Sequence, residues 1–147
     1  MENRIIKYIT NTLNDNKNSK DAIQMQRYLK TTMPFYGVKS PILNTIVNDV
    51  NNLHLISNQE EYNSVIMDIW NLSHREEKYI SIKLARKWKK YITLEALTVY
   101  EKMIREGQWW DFIDPISQGL IGILLMNNRF KMNKILDKWI KDENLWI

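Results

Sequence analysis

Apolar residues fall three and four apart along almost the whole chain, and no stretch keeps up the strict alternation of a half-buried strand. Four glycines and three prolines are too few punctuation marks in 147 residues for a fold of many short strands and tight turns. The class that meets both constraints is all-α. A single domain is expected, because a chain of ~150 residues buries about 68–70% of its unfolded surface and needs no staples.

Helix-start signals divide the chain. The first helix is expected over Glu2 to Leu13, burying Ile5, Ile9 and Leu13, and the second over Asp21 to Met33. Pro34 and Gly37 interrupt, and Ser40-Pro41 restarts the chain with a capping hydroxyl and proline at the first helical position. Asn58-Gln59-Glu60-Glu61 resembles a capping box, as does Ser73-His74-Arg75-Glu76, which opens a helix expected to reach Tyr91. Thr93 caps Leu94 to Arg105, and Gly107 suits the C-terminal end of that helix. A helix from Pro115 to about Met126 and a last one from Phe130 to Lys141 follow. The starts at Asn58, Thr93 and near Asn128 lie about 35 residues apart. Each interval holds two antiparallel helices, the unit of a helical-repeat solenoid. An irregular helical bundle explains the same spacing, since the intervals share little sequence.

Cysteine is absent, which excludes disulfides, thiolate metal sites and cysteine nucleophiles. The segment Met1 to Lys7 lacks a signal-peptide core, and no apolar run approaches the ~20 residues of a membrane span, so a cytoplasmic protein away from membranes is expected. The net charge of +4 and a pI near 9.2 permit a nucleic-acid partner without specifying one. His54 and His74 have no ligand partner at metal spacing, and there is no Gly-rich phosphate loop or nucleophile elbow. Neither a metal nor a cofactor is expected.

The candidate site is Trp109-Trp110-Asp111-Phe112-Ile113-Asp114, two indoles and two carboxylates just beyond Gly107. Large aromatic faces beside acids hold cationic groups. Asp114 precedes Pro115 and can be read simply as a helix N-cap. A carboxylate held there in its ionised form is equally suited to stabilising a positive charge that develops during a reaction. Adjacent helical positions lie about 100° apart, so Trp109 and Trp110 cannot both enter one core. Trp70, Trp88 and Trp139 read as packing between helices. The run Lys83, Arg86, Lys87, Lys89, Lys90 is either a solvated helix end or a phosphate contact.

Several pieces in order resemble one family. They are Met25-Gln26-Arg27-Tyr28-Leu29-Lys30, Phe35-Tyr36-Gly37-Val38 with Pro41, and His74-Arg75-Glu76-Glu77 after Ile69-Trp70-Asn71-Leu72. Trp109 to Asp114, Trp139, and Asp142-Glu143-Asn144-Leu145-Trp146-Ile147 complete the set. Together they resemble the HEAT-like DNA alkylation repair glycosylases. The resemblance implies an all-α solenoid of HEAT-like, ARM-type helix pairs with a basic concave groove for duplex DNA carrying alkylated bases. It implies excision of N7-alkylguanine and N3-alkyladenine without a metal and without flipping the base. By the same resemblance, Asp114 matches the catalytic carboxylate and Trp110 the aromatic packed on the lesion's deoxyribose. Tyr28 matches the aromatic lining that cleft from the N-terminal helices, while Trp109 belongs to the same DNA-contacting motif and, with Asp111, supports its fold. The family pattern continues beyond Leu145-Trp146-Ile147 into an Arg-bearing helix, so the chain is expected to correspond to the N-terminal part of a longer family fold. A non-catalytic DNA-binding module and a helical-repeat protein-interaction scaffold are the alternative functions.

Overall fold

The structure is a computed structural model that describes residues 2–147, with side chains from Arg4 onward. Among the described residues there is no strand, and the all-α expectation holds. The helices are α1 (Glu2–Asp15), α2 (Ser19–Leu29), α3 (Ser40–Asn52), α4 (Gln59–Trp70), α5 (Arg75–Lys87), α6 (Leu97–Gly107), α7 (Trp110–Ile116), α8 (Gly122–Asn127) and α9 (Arg129–Ile140).

They pack as a helical repeat in two layers. In one layer α1 lies against α4 and α4 against α6; in the other α3 lies against α5 and α5 against α7. Across the layers α1 meets α3, α4 meets α5 and α6 meets α7. The expected starts are met, with Asn58 capping α4, Thr93 preceding the short turn that leads into α6, and Asn128 preceding α9. The Asn58 side chain accepts the Glu61 N–H at 2.8 Å, which satisfies one of the amides a helix start leaves open.

One core runs between the layers, from Ile5, Ile9 and Leu13 through Tyr62, Ile66 and Trp70 to Phe112, Leu120 and Leu124. Among the described residues, its buried side-chain polar atoms are paired except for the Trp109 indole N–H. The buried Tyr62 hydroxyl lies 2.9 Å from the Ala85 carbonyl and 2.6 Å from the Tyr100 hydroxyl. A carbonyl only accepts, so Tyr62 spends its proton there and Tyr100 must be the donor to Tyr62. Trp70, Trp88 and Trp139 pack between helices as expected, each donating its indole N–H at 2.9 Å, to Glu106, Asn51 and Glu101 respectively.

Several boundaries differ from the sequence reading. Helix α5 ends at Lys87, not Tyr91, because Trp88 leaves helical geometry at ψ 64° and a tighter 3-10 turn follows over Lys89–Tyr91. Leu94–Ala96 forms another such turn, so α6 starts at Leu97. Helix α2 ends at Leu29, not Met33, because Lys30 turns left-handed with φ 53° and Thr31 N–H closes back on the Gln26 carbonyl at 3.1 Å. The left-handed position after α6 is Gln108, not Gly107. Gly107 is helical and answers to packing, since a Cβ there would meet Phe112 at 3.1 Å and Trp70 at 3.3 Å. Most consequentially, α7 starts at Trp110 and passes through Pro115. Asp114 is therefore inside the helix and is not its N-cap. Proline cannot donate to the Asp111 carbonyl, and the chain widens into a π turn over Ser117–Ile121 before α8 resumes.

Candidate functional site

The start of α5 organises the surroundings of the site. Arg75, Glu76 and Glu77 are all buried, and each is fully employed. The Glu76 carboxylate accepts three consecutive backbone N–H groups, from Tyr36 (2.9 Å), Gly37 (2.8 Å) and Val38 (3.0 Å). Gly37 sits at φ +87°, and a Cβ there would come within 2.0 Å of the Asn18 carbonyl oxygen. Only glycine fits this close approach. Glu77 accepts the His74 N–H at 2.9 Å and the Tyr36 hydroxyl at 3.1 Å, while the Tyr36 ring stacks on His74 with centroids 3.9 Å apart. Burial first, and the Glu77 charge second, push the Tyr36 hydroxyl up to about 12. The capping box is thus His74 with Glu77, one residue later than Ser73 with Glu76. That shift frees Glu76 to hold the loop that presents Phe35 and Val38.

Arg75 does the same for α7. Its guanidinium, 3% exposed, donates to both oxygens of Asp111, which is 9% exposed, at 2.8 Å and 2.7 Å. It lies over the Phe112 ring at 4.2 Å and reaches Thr31 Oγ1 at 3.3 Å. Tyr79, one turn further along α5, also donates its hydroxyl to Asp111. Asp111 is the second residue of α7, so this fork sets the rotation of the helix about its axis. Phe112 and Ile113 then point into the core.

The same rotation turns Trp110 outward, 47% exposed, where it meets Tyr28, 77% exposed, edge-on at 6.3 Å between centroids. The two rings border an open cavity of about 640 Å³ walled by Met25, Phe35, Val38 and Pro41 and floored by Tyr79 and Asp111. Asp114 lies one turn beyond Trp110 on the same helical face. It is exposed, and its side chain makes no hydrogen bond or ion pair among the described residues. It does not line the cavity itself; its neighbour Pro115 lines the adjoining one. The two carboxylates of the motif have therefore separated: Asp111 is consumed by Arg75 and Tyr79, and Asp114 is free.

Trp109 does not join this group. It packs partly buried against the core and against Trp146, with ring centroids 6.4 Å apart. The C-terminal motif that supplies Trp146 is itself tied down, since Asp142 pairs with Arg105 and accepts the Asn144 N–H at 2.8 Å. The structure brings together Tyr28 and Trp110, with Asp114 one turn away, and leaves Trp109 out of the cavity lining.

From the cavity floor a groove continues along α5. Tyr79 and Asp111 also line a second cavity of about 330 Å³ with Lys83, Arg86 and Pro115. Lys83 and Arg86 in turn line a third, of about 710 Å³, with Lys87, Lys89, Asn48 and Gln118. Burial, and then the neighbouring Arg86 charge, hold the Lys83 ammonium below its ordinary value. The sequence marked this basic run but did not place it beside Trp110. It gave no sign of the roles of Arg75 and Tyr79, whose partner Asp111 is 36 and 32 residues away.

Among the described residues no group of three or more histidine, aspartate or glutamate side chains is placed to hold a metal ion, and no helix is long and apolar enough to cross a membrane. The search of curated proteins finds no match. Among solved structures, a predicted DNA alkylation repair enzyme from Enterococcus faecalis superposes with a TM-score of 0.77 at 21% identity. The match covers 89% of this chain and 61% of that one, so this chain spans under two thirds of the length of the protein it resembles. At that identity the likeness speaks for the fold. The family model for the DNA alkylation repair enzymes matches residues 9–147, nearly the whole sequence, and the chain belongs to that family.

Proposed function

We propose that this protein is a DNA repair glycosylase that hydrolyses the N-glycosidic bond of cationic alkylated purines, N7-alkylguanine and N3-alkyladenine, in duplex DNA. One observation carries the reading: an unpaired, exposed carboxylate, Asp114, stands one helical turn from an exposed indole, Trp110, on a helix whose Asp111 and Pro115 line a cavity with Lys83 and Arg86. The chemistry follows from the leaving group. An alkylated purine already carries a positive charge, so the glycosidic electron pair can depart onto the base and neutralise it. The deoxyribose left behind is oxocarbenium-like at C1′. Asp114 stabilises that cation and orients a water, whose oxygen bonds to C1′ while its proton passes to the carboxylate or to solvent. Trp110 and Tyr28 offer aromatic faces to the sugar and the cationic base. An open cavity bordered by rings suits a nucleotide that remains on the duplex, in contrast to the closed pocket that a flipped base requires. Asp111 cannot share the acid's role while Arg75 and Tyr79 hold both its oxygens.

The test is release of free base from a duplex carrying N7-methylguanine. Asp114→Asn keeps the shape and removes the charge, and loss of one such electrostatic stabiliser costs ~10²–10³ in rate. Excision should fall by about that factor while DNA affinity stays within about twofold. No release by the parent protein, or an unchanged rate in Asp114→Asn, would overturn the reading. Salt-sensitive DNA binding without any release would favour a non-catalytic DNA-binding module on the same scaffold.

A further inference from the structure

The basic groove contains an arrangement that glycosidic chemistry does not require. Lys83 and Arg86 stand three residues apart on α5, line the same two cavities, and have no carboxylate partner among the described residues. Among the described residues the Lys83 ammonium donates only to Asn44 Oδ1, at 3.0 Å. Two like charges held side by side repel, and the cost grows as solvent is excluded. Burial first, and the Arg86 charge second, lower the Lys83 pKa, and the Arg86 part is that repulsion expressed as proton affinity. An anion between them reverses the sign.

Gly119 supplies the second observation. It is buried in the π turn after α7, where its backbone does not require glycine, because its φ is not in the left-handed range. An alanine would be favoured in a helical stretch by ~1 kcal/mol. The reason for glycine is space. A Cβ at Gly119 would fall 2.0 Å from Arg86 Nε and 2.6 Å from its Cδ and Cζ. The guanidinium stem lies across bare backbone and is held toward the groove that leads to Tyr79, Asp111 and Pro115.

We propose that Lys83 and Arg86, the latter seated on Gly119, form a binding site for a backbone phosphodiester of the DNA strand whose nucleotide lies at Trp110 and Asp114. A guanidinium fork receives two phosphate oxygens at once, and the seat limits the rotamers it would otherwise lose on binding. The proposal rests on the reading of this groove as a DNA groove, but not on excision.

The test is the salt dependence of binding to an undamaged duplex, followed by fluorescence anisotropy, with thermal melts alongside. Each phosphate neutralised contributes ~0.9 to the slope of log affinity against log salt. Arg86→Gln should lower the slope by about 1 and weaken binding about 3–10-fold for every sequence. Arg86→Lys should keep the slope and lose part of the affinity, because the charge remains and the fork does not. Gly119→Ala should reproduce Arg86→Gln in binding without lowering the melting temperature, since the side chain it displaces is flexible. Parent-like affinity and slope in both Arg86→Gln and Gly119→Ala would overturn the proposal, as would a parent protein that binds no duplex. A parent that binds with a steep slope but releases no base removes the glycosylase reading and leaves the phosphate site standing. A parent that excises while these variants bind as it does removes the phosphate site alone.

Discussion

Arg75→Met is the perturbation that most directly probes how the site is held. Methionine keeps an apolar stem between Phe112 and Phe35 but removes the fork. Two charge-assisted hydrogen bonds to Asp111 disappear, together with those to Thr31 and to the Tyr79 hydroxyl. Asp111 then remains almost buried, and among the described residues Tyr79 alone still donates to its side chain. Hydrogen bonds to charged groups contribute ~1.5–3 kcal/mol each, and breaking a buried pair from one side costs ~3–5 kcal/mol. Allowing for the retained apolar contact, we expect a loss of about 4 kcal/mol. A chain of this size loses ~2–4 °C in melting temperature per kcal/mol, so the variant should melt about 8–16 °C lower. Urea denaturation followed by circular dichroism measures the free energy directly, and an unchanged m-value would show that the compactness of the native and denatured states is preserved. Adding Asp111→Asn removes the orphaned charge, and the double variant should recover about 1–3 kcal/mol. A single variant that melts within about 2 °C of the parent would refute the clamp. So would a double variant no more stable than Arg75→Met, because the cost would then not come from an uncompensated carboxylate.

Two further outcomes follow from the same region. Glu76→Gln places an NH₂ group against backbone N–H donors that one carboxylate now satisfies at Tyr36, Gly37 and Val38; it should cost on the order of 3 kcal/mol and speed hydrogen exchange at those three amides. Tyr36 has a folded-state value of about 12, above its ordinary 10, so its contribution to stability is complete below pH 10 and declines from there to about pH 12. Tyr36→Phe should flatten that alkaline decline in urea titrations, and an unchanged slope would discount the Tyr36 contribution.

The separation of roles within Trp109 to Asp114 shows where sequence reasoning stops. Two indoles and two carboxylates in six residues announce a site, and helical geometry alone says that adjacent tryptophans face different ways. Which indole faces outward depends on the rotation of α7. That rotation is set by Arg75 and Tyr79, more than thirty residues earlier in the chain. The same holds for the carboxylates: Asp111 and Asp114 are alike in type and neighbourhood, and only a partner on another helix distinguishes the clamped acid from the free one. The reading of Asp114 as an N-cap fails for a related reason. Local proline preferences favour a helix start at Pro115, but core burial of Phe112 and Ile113 carries the helix from Trp110 through the proline, with a π turn following it.

The sequence by itself determined the all-α class and the main helix starts, because apolar period and caps are local properties read within a turn or two, and it left a repeat and an irregular bundle both open. Asn58, Thr93 and Asn128 precede their helices where local chemistry puts them. It also determined which family the ordered motifs resemble. Only the tertiary structure decided that the basic run of α5 continues the Trp110 cavity, that Trp109 packs on Trp146, and that Gly107 and Gly119 serve packing and not backbone geometry. The physical reason is the same in each case. A charge, a ring or a missing Cβ takes its meaning from what lies across the helix interface, and that neighbour is fixed by the burial of the whole core.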